Sequence, residues 1–567
     1  MKQNILSILF LIISILSLVN SDTAKGVIEC VYEVTDIGEY TKILGDEFIP
    51  NSDITMTIND EKKTLSKNYL FPSRDIYNVK FLLNEPLNMD FMFKGVSALI
   101  RVEMISTENL KITRFESTFE NCIYLLSFSM KGFDTSEATS MKNMFKDTSN
   151  LDKADFSQFN TESVINMSSM FESSHIFILD LDAFNTRRLK NMNSMFKWCQ
   201  NLLYLRVGNF DTISVTDMSN LFLWDNSLVS LNVSKWDTSE VVDMSFMFYY
   251  CSSLTSLEVT SFNTKQVQKM DYMFCSLKKL TTLDVSNFDT SNVVNMAGMF
   301  SSNEELKFID VSNFDTSNVE SMGDMFSNCL NLVSLDLSRF DTSRVIDMSY
   351  MFSNCASLTS LDLKSFDSSK VTNMNSMFKS AKNLEYLDIR NLDTKNVVNF
   401  KNMFNGCLSL KKLEIYHFNT ENARTMDSMF VNCESLITLD LSNFDTKNVE
   451  NMNNMFYSVK SLKYLDLTNF DTSKVTSMDN MFCECESLLS LDLSKFNTES
   501  VTSMFDMFRN DKSLQKLNLK NFDVEKCTSF GHIFGECTNL TLILGKDNEK
   551  CKFLEELAPS YVTIEYV

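Results

Sequence analysis

The sequence is poor in the residues that bend and interrupt a chain. Only 12 Gly and 4 Pro occur among 567 residues. A calcium-binding β-roll needs glycine throughout its turns, and collagen-like or linker-rich chains need more still, so these classes are excluded. Histidine is scarcer: His175, His417 and His532 lie far apart, and no Ser or Cys partner is singled out around them. No Gly-rich phosphate loop is present either. Nucleophilic, acid–base and phosphoryl-transfer chemistry therefore find little footing, and we expect no enzymatic activity and no cofactor. Positive charge is also short, with 52 Lys and Arg against 74 Asp and Glu, a net charge of -22. That balance disfavours nucleic acid and offers no polybasic patch for anionic lipid. A partner chosen by charge would be basic or cationic.

Long apolar runs are missing after the first twenty residues. Lys2 followed by Ile5–Leu18 and then Val19-Asn20-Ser21 reads as a secretory signal, residues 1–21, cut after Ser21. A start-anchored helix is the alternative, but the run is short for a membrane span. No second spanning run follows, so no transmembrane segment is expected after signal removal. The closing VTIEYV is no hydrophobic tail, and Cys30 lies too far downstream to accept a lipid. The expected location is secreted or extracellular, free or held at the cell surface.

What the chain has in excess is 47 Phe and 34 Met, and they fall on a ruler. The pair Met299-Phe300 recurs every 26 residues at Met325, Met351, Met377, Met403, Met429, Met455, Met481 and Met507. Backwards it recurs at Met273, Met247, Leu221, Met195, Met170, Met144, Thr118 and Met92, with one step of 25 between Met170 and Met195. Ile533-Phe534 is a last, degenerate copy, which makes 18 units. A register held this long is the fold itself.

Each unit has two halves. In Phe314–Ser338, Val319, Met322, Met325, Phe326, Cys329 and Leu332 are spaced by threes and fours, which predicts a short helical or 3-10 segment. Leu335 and Leu337 alternate with polar residues, which predicts a strand with one buried face. The expected fold is an α/β repeat solenoid, with parallel strands on one face and helical segments on the other. A second aromatic row, including Phe288, Phe314, Phe340 and Phe366, starts the next unit. Residues 87–544 form the solenoid in this reading. Residues 22–86 alternate at Ile28–Val34, Asp53–Asp60 and Asn78–Leu83 and predict a small N-terminal β cap, and 545–567 a C-terminal cap.

The segment LDLSNFDTKNVENMNNMF, Leu439–Phe456, and its siblings resemble the BspA-like leucine-rich repeat surface proteins in their 26-residue repeat form. The resemblance covers about four-fifths of the chain. It implies a non-catalytic solenoid, secreted or on the cell surface, that mediates adhesion or protein–protein interaction with host or matrix proteins. The family defines no catalytic residues to carry over. This chain departs from the bacterial members in lacking a lipidation Cys or a visible wall anchor.

The recurring Asp-Thr corner, as at Asp315-Thr316 and Asp341-Thr342, suits a helix N-cap, which also turns on its own backbone. Asn replaces Asp freely there, at Asn263 and Asn419, so metal ligation and catalysis are disfavoured. The candidate partner-binding face is the outward row between the strand leucines: Glu258, Asp284, Asp310, Asp336, Asp362, Asp388, Glu414, Asp440, Asp466 and Asp492. It reads either as a solvated face or as an acidic strip for a basic partner or cations. Tyr386, Tyr416 and Tyr464 project beside it, and aromatics beside acids suit protein recognition. Asn-x-Ser/Thr acceptors occur at Asn166, Asn232 and Asn539 as candidate N-glycosylation sites. Nine of the 14 Cys stand three residues after the marker Phe, where Cys serves as a small apolar residue. Most should be free and buried, with bridging best placed at Cys527, Cys537 and Cys551. A structural or antigenic coat protein with no specific ligand is the alternative function.

Overall fold

A computed structural model describes residues 24–50 and 53–567. The predicted signal, residues 1–21, lies outside the described residues. The chain forms two compact units that divide between Glu240 and Val241. Six marker copies, Phe93 to Phe222, fall in the first unit and twelve, Phe248 to Phe534, in the second.

The first unit opens with antiparallel strands. Gly26–Val34 pairs with Asp75–Leu83 on one side and with Leu99–Ser106 on the other. Leu99–Ser106 then pairs in parallel with Ser127–Lys131, which pairs in parallel with Lys153–Ala154. The antiparallel segment thus occupies the free edge of the first coil's strand, where unpaired backbone would invite other chains. In the second unit, short strands such as Ser360–Asp362 and Tyr386–Asp388 pair in parallel and in register, one coil apart. A second line of parallel bridges joins Asp243, Lys269, Asn295 and so on to Ser529, always between adjacent coils. At the C-terminus a five-residue helix, Phe553–Leu557, leads to Thr563–Tyr566, which adds a parallel strand to Thr541–Leu544.

The predicted helical side is not helical. Among the described residues the only helical pieces are Glu549–Cys551 and Phe553–Leu557. Each coil instead makes a run of tight turns. In one coil Met325 N–H donates to Met322 O at 3.2 Å and Cys329 N–H to Phe326 O at 3.3 Å. Asp324 and Asn328, third in these turns, have φ of 59° and 58°, the mark of type II turns. A left-handed residue every fourth position breaks any α-helix. The backbone groups a helix would satisfy internally are satisfied by the next coil: Met322, Asp324, Phe326 and Asn328 N–H donate to Asp347, Ser349, Met351 and Ser353 O at 2.7–3.1 Å. Both ends of each turn point inward, so apolar residues recur at threes and fours and imitate a helix.

Inside, the marker rings stack. Phe274, Phe300, Phe326, Phe352, Phe378 and Phe404 have centroids 5.7–6.0 Å apart and planes within 17°. The first unit does the same from Phe93 to Phe222 at 5.2–5.9 Å. Each buried ring contributes roughly 1.5–3 kcal/mol over exposure. The Asp-Thr corner is structural, but no helix follows it. Asp315 Oδ1 accepts the Ser317 N–H at 3.0 Å, an Asx turn. The buried Thr316 hydroxyl donates to Asp341 O of the next coil at 2.8 Å, and Thr342 repeats this to Asp367 O. These threonines stitch coil to coil, which spacing alone did not reveal.

Candidate partner-binding face

The acidic row lies on the outward side of the strands in the second unit. Leu361 and Leu363 point into the core while Asp362 between them is exposed. Glu258, Asp284, Asp310, Asp336, Asp440, Asp466 and Asp492 are likewise exposed and Glu414 is half-buried. Each exposed acid also holds its own turn. Asp284, Asp310, Asp336, Asp440 and Asp492 accept the backbone N–H two residues on at 2.9–3.0 Å. At Asp310 the Ser312 hydroxyl and N–H lower the carboxyl pKa, while Asp284 and Asp336 push it the other way. Hydrogen bonding outweighs like-charge repulsion because the latter acts through water.

The row is not one unbroken strip. Asp388 is 3 % exposed. Arg390 grips both its oxygens, Nε at 3.0 Å and Nη2 at 2.7 Å, and Lys364 Nζ stands 3.4 Å away. The Arg390 guanidinium holds the Asp388 carboxyl far below the usual carboxylate range. Lys364 also pairs with Asp362 at 3.2 Å, and Lys412 pairs with Glu414, whose pKa it lowers. The middle of the row, Asp362 to Glu414, is therefore neutralised, and bare acids remain on either side. The basic residues stand two places away on the same face, so period-2 reasoning extended to them would have found the pairs.

Around the C-terminal stretch the face opens into a groove of about 620 Å³. Tyr416, Ile437, Tyr464, Asp440, Asp466 and Asp492 line it. Tyr464 is 67 % exposed and Tyr416 51 %. Tyr386 is also exposed, but its hydroxyl is tied to Asp388 at 3.3 Å.

Of the glycosylation candidates, Asn166 is half-buried and its Oδ1 accepts the Ser168 N–H. Asn232 is exposed on the strand face of the first unit, and Asn539 is exposed with its amide on Lys512 O. All fourteen cysteines are free and buried, Cys527, Cys537 and Cys551 included. The slot after the marker Phe wants more than small size: Cys329 and Cys355 thiols donate to Phe300 O and Phe326 O at 3.1 Å. His417 sits with Nε2 3.1 Å from Ile389 O, and burial lowers its pKa. Among the described residues no helix is long and apolar enough to cross a membrane.

Fold and face together define a β-solenoid repeat scaffold of parallel-stranded coils. Its repeats match the family described as "Mycoplasma protein of unknown function, DUF285" over 87–204, 199–307, 251–360, 275–386, 356–465 and 459–552. These matches run without a gap over more than half of the sequence, and the chain belongs to that family. No curated protein matches it. Among solved structures, it aligns with a leucine-rich repeat protein from Eubacterium ventriosum ATCC 27560 at 17 % identity, 61 % of this chain, 94 % of that chain and TM-score 0.34. TLR13 in its complex with ssRNA13 aligns at 16 %, 85 %, 83 % and 0.22, and the InlJ functional domain of Listeria monocytogenes at 13 %, 78 %, 70 % and 0.15. Overlap this slight bears on neither detail nor function.

Proposed function

We propose that the chain is a secreted or cell-surface binding scaffold that engages a protein partner, in the manner of the BspA-like proteins its repeats resemble, and that it performs no catalysis. The observation that carries this reading is the open groove where exposed Tyr416 and Tyr464 stand beside Asp440 and Asp466. Neither ring packs a core, so the fold itself does not account for them. They supply anchors of the kind that dominate protein interfaces, and the acids favour a basic partner. The apolar start of the chain supports export.

The test is binding of the mature chain to host cells and matrix proteins. Tyr416→Ala with Tyr464→Ala should weaken it at least tenfold. Asp440→Lys with Asp466→Lys should weaken it too, and the loss should shrink at high salt. Binding unchanged in both variants would remove this reading and leave the coat-protein role. Export is checked separately: the N-terminus of protein recovered from the medium should be Asp22.

A further inference from the structure

One interior position, three residues after the marker Phe, accepts a varied set of side chains: Cys in nine coils, and Thr148, Ser174, Asn303, Asp225 and Asp511 among the rest. Asn303 shows what the slot requires. Its Oδ1 accepts the Leu277 N–H at 2.9 Å, while its Nδ2 donates to Phe274 O at 3.0 Å and Phe300 O at 2.9 Å. The position therefore offers one N–H, 26 residues back, and two carbonyl oxygens, 29 and 3 residues back.

Asp511 occupies the same slot and is completely buried. Its Oδ1 accepts the Cys485 N–H at 2.8 Å, again 26 residues back. Its Oδ2 is buried with no partner. By the Asn303 geometry, Oδ2 takes the place of the amide nitrogen, between Phe482 O and Phe508 O. Carbonyl oxygens accept and never donate, so an ionised Oδ2 has nothing to bond there, whereas a protonated one completes the pattern. We infer that Asp511 is held as a neutral acid whose Oδ2–H donates to these carbonyls, making its coil a pH-sensitive joint that tightens in acid. Asp225 in the first unit repeats the arrangement, with Oδ1 on the Cys199 N–H at 2.8 Å and a buried, unpartnered Oδ2.

Burial pushes the Asp511 carboxyl well up, against the pull of the single Cys485 N–H. The titratable groups beside it are the thiols of Cys483, Cys485 and Cys537, all pushed up by burial, the first and last to about 12, and so uncharged. The charged groups nearby, Glu484, Asp506, Arg509 and Glu536, line a separate opening of about 230 Å³, where Arg509 is already paired with Asp506 at 2.9 Å. The folded coil thus keeps a proton that the unfolded chain gives up near the usual carboxyl value of about 3.9. A raised folded pKa means that the coil's stability is fully present below that value. It is lost as pH rises through the folded pKa.

The test compares the mature chain with its Asp511→Asn variant by amide hydrogen exchange over residues 480–540 from pH 4 to 8. Asn should make the bonds Asn303 makes, at every pH. Protection in the wild type relative to the variant at the same pH should fall by about tenfold per pH unit above about pH 4 until the folded pKa is passed. Asn303→Asp should install the same dependence in its own coil. The infrared band of un-ionised carboxyl at pH 7 should lose intensity in Asp511→Asn. A wild-type to variant ratio that stays flat with pH, or an acid band unchanged by the substitution, would overturn the assignment.

Discussion

Asp310 and Asp388 stand at the same place in their coils, yet one is a bare, water-facing acid and the other is buried under an arginine. The repeat fixes where a side chain is placed, and a residue two positions away decides what that placement means. Ser286, Ser312 and Ser338 follow the bare acids, and Lys364 and Arg390 follow the paired ones. Charge along the face therefore alternates between open and closed stretches on an unchanged backbone.

The largest expected effect should ignore this contrast. Phe326→Ala, in the coil that carries Asp336, and Phe378→Ala, in the coil that carries Asp388, should each cost about 3–5 kcal/mol in denaturant unfolding, because the ring stack beneath is the same. Unequal costs would mean that the two stretches differ inside as well as outside. Arg390→Met should destabilise its coil measurably, since it leaves the Asp388 carboxylate only the Lys364 ammonium at 3.4 Å, while Arg339→Met beside the bare Asp336 should cost almost nothing. The sign of the acid response follows from the depressed Asp388 pKa: its stabilisation is present above about pH 4 and lost as pH falls through the folded value. Acid titration of local exchange at this coil should show that loss in the wild type and a much weaker one in Arg390→Met. Smallest is the Asx turn: Asp310→Ala should cost about 1 kcal/mol, and Asp310→Asn a few tenths, because the amide oxygen still accepts the Ser312 N–H. If Asn costs as much as Ala, the charge and not the hydrogen bond is what the turn needs.

The repeat, its 26-residue step, the buried rows and the outward acids were legible in the sequence because period 2 and a fixed register leave few ways to bury Leu361, Leu363 and the Phe rows. The helix was misread because type II turns in series place Met322, Met325 and Cys329 at the same spacing. The correcting signal was present: Asp324, Asn328, Asn354, Asn402 and Gly406 are residue types that tolerate positive φ. Gly298 is the sharpest instance, for a Cβ there would lie 2.1 Å from the Tyr272 ring. The pairing of Asp388 was missed because period 2 was applied to the acids and not to the Arg390 two places on, and the hydroxyl stitching by Thr316 stayed hidden because it depends on reach between coils, which a list of apolar positions does not encode.

The single 25-residue step shows where the chain tolerates a change of length. Phe171 and Phe196 flank it and still lie 5.9 Å apart with planes 2° from parallel. The Thr161 hydroxyl still meets Asn185 O at 3.0 Å. Ser174 and Ile176 are two residues apart where Cys329 and Leu332 are three, so the missing residue came out of that one bend. One coil can therefore lose a residue at this corner while the ring stack and the hydroxyl stitch on either side stay in register.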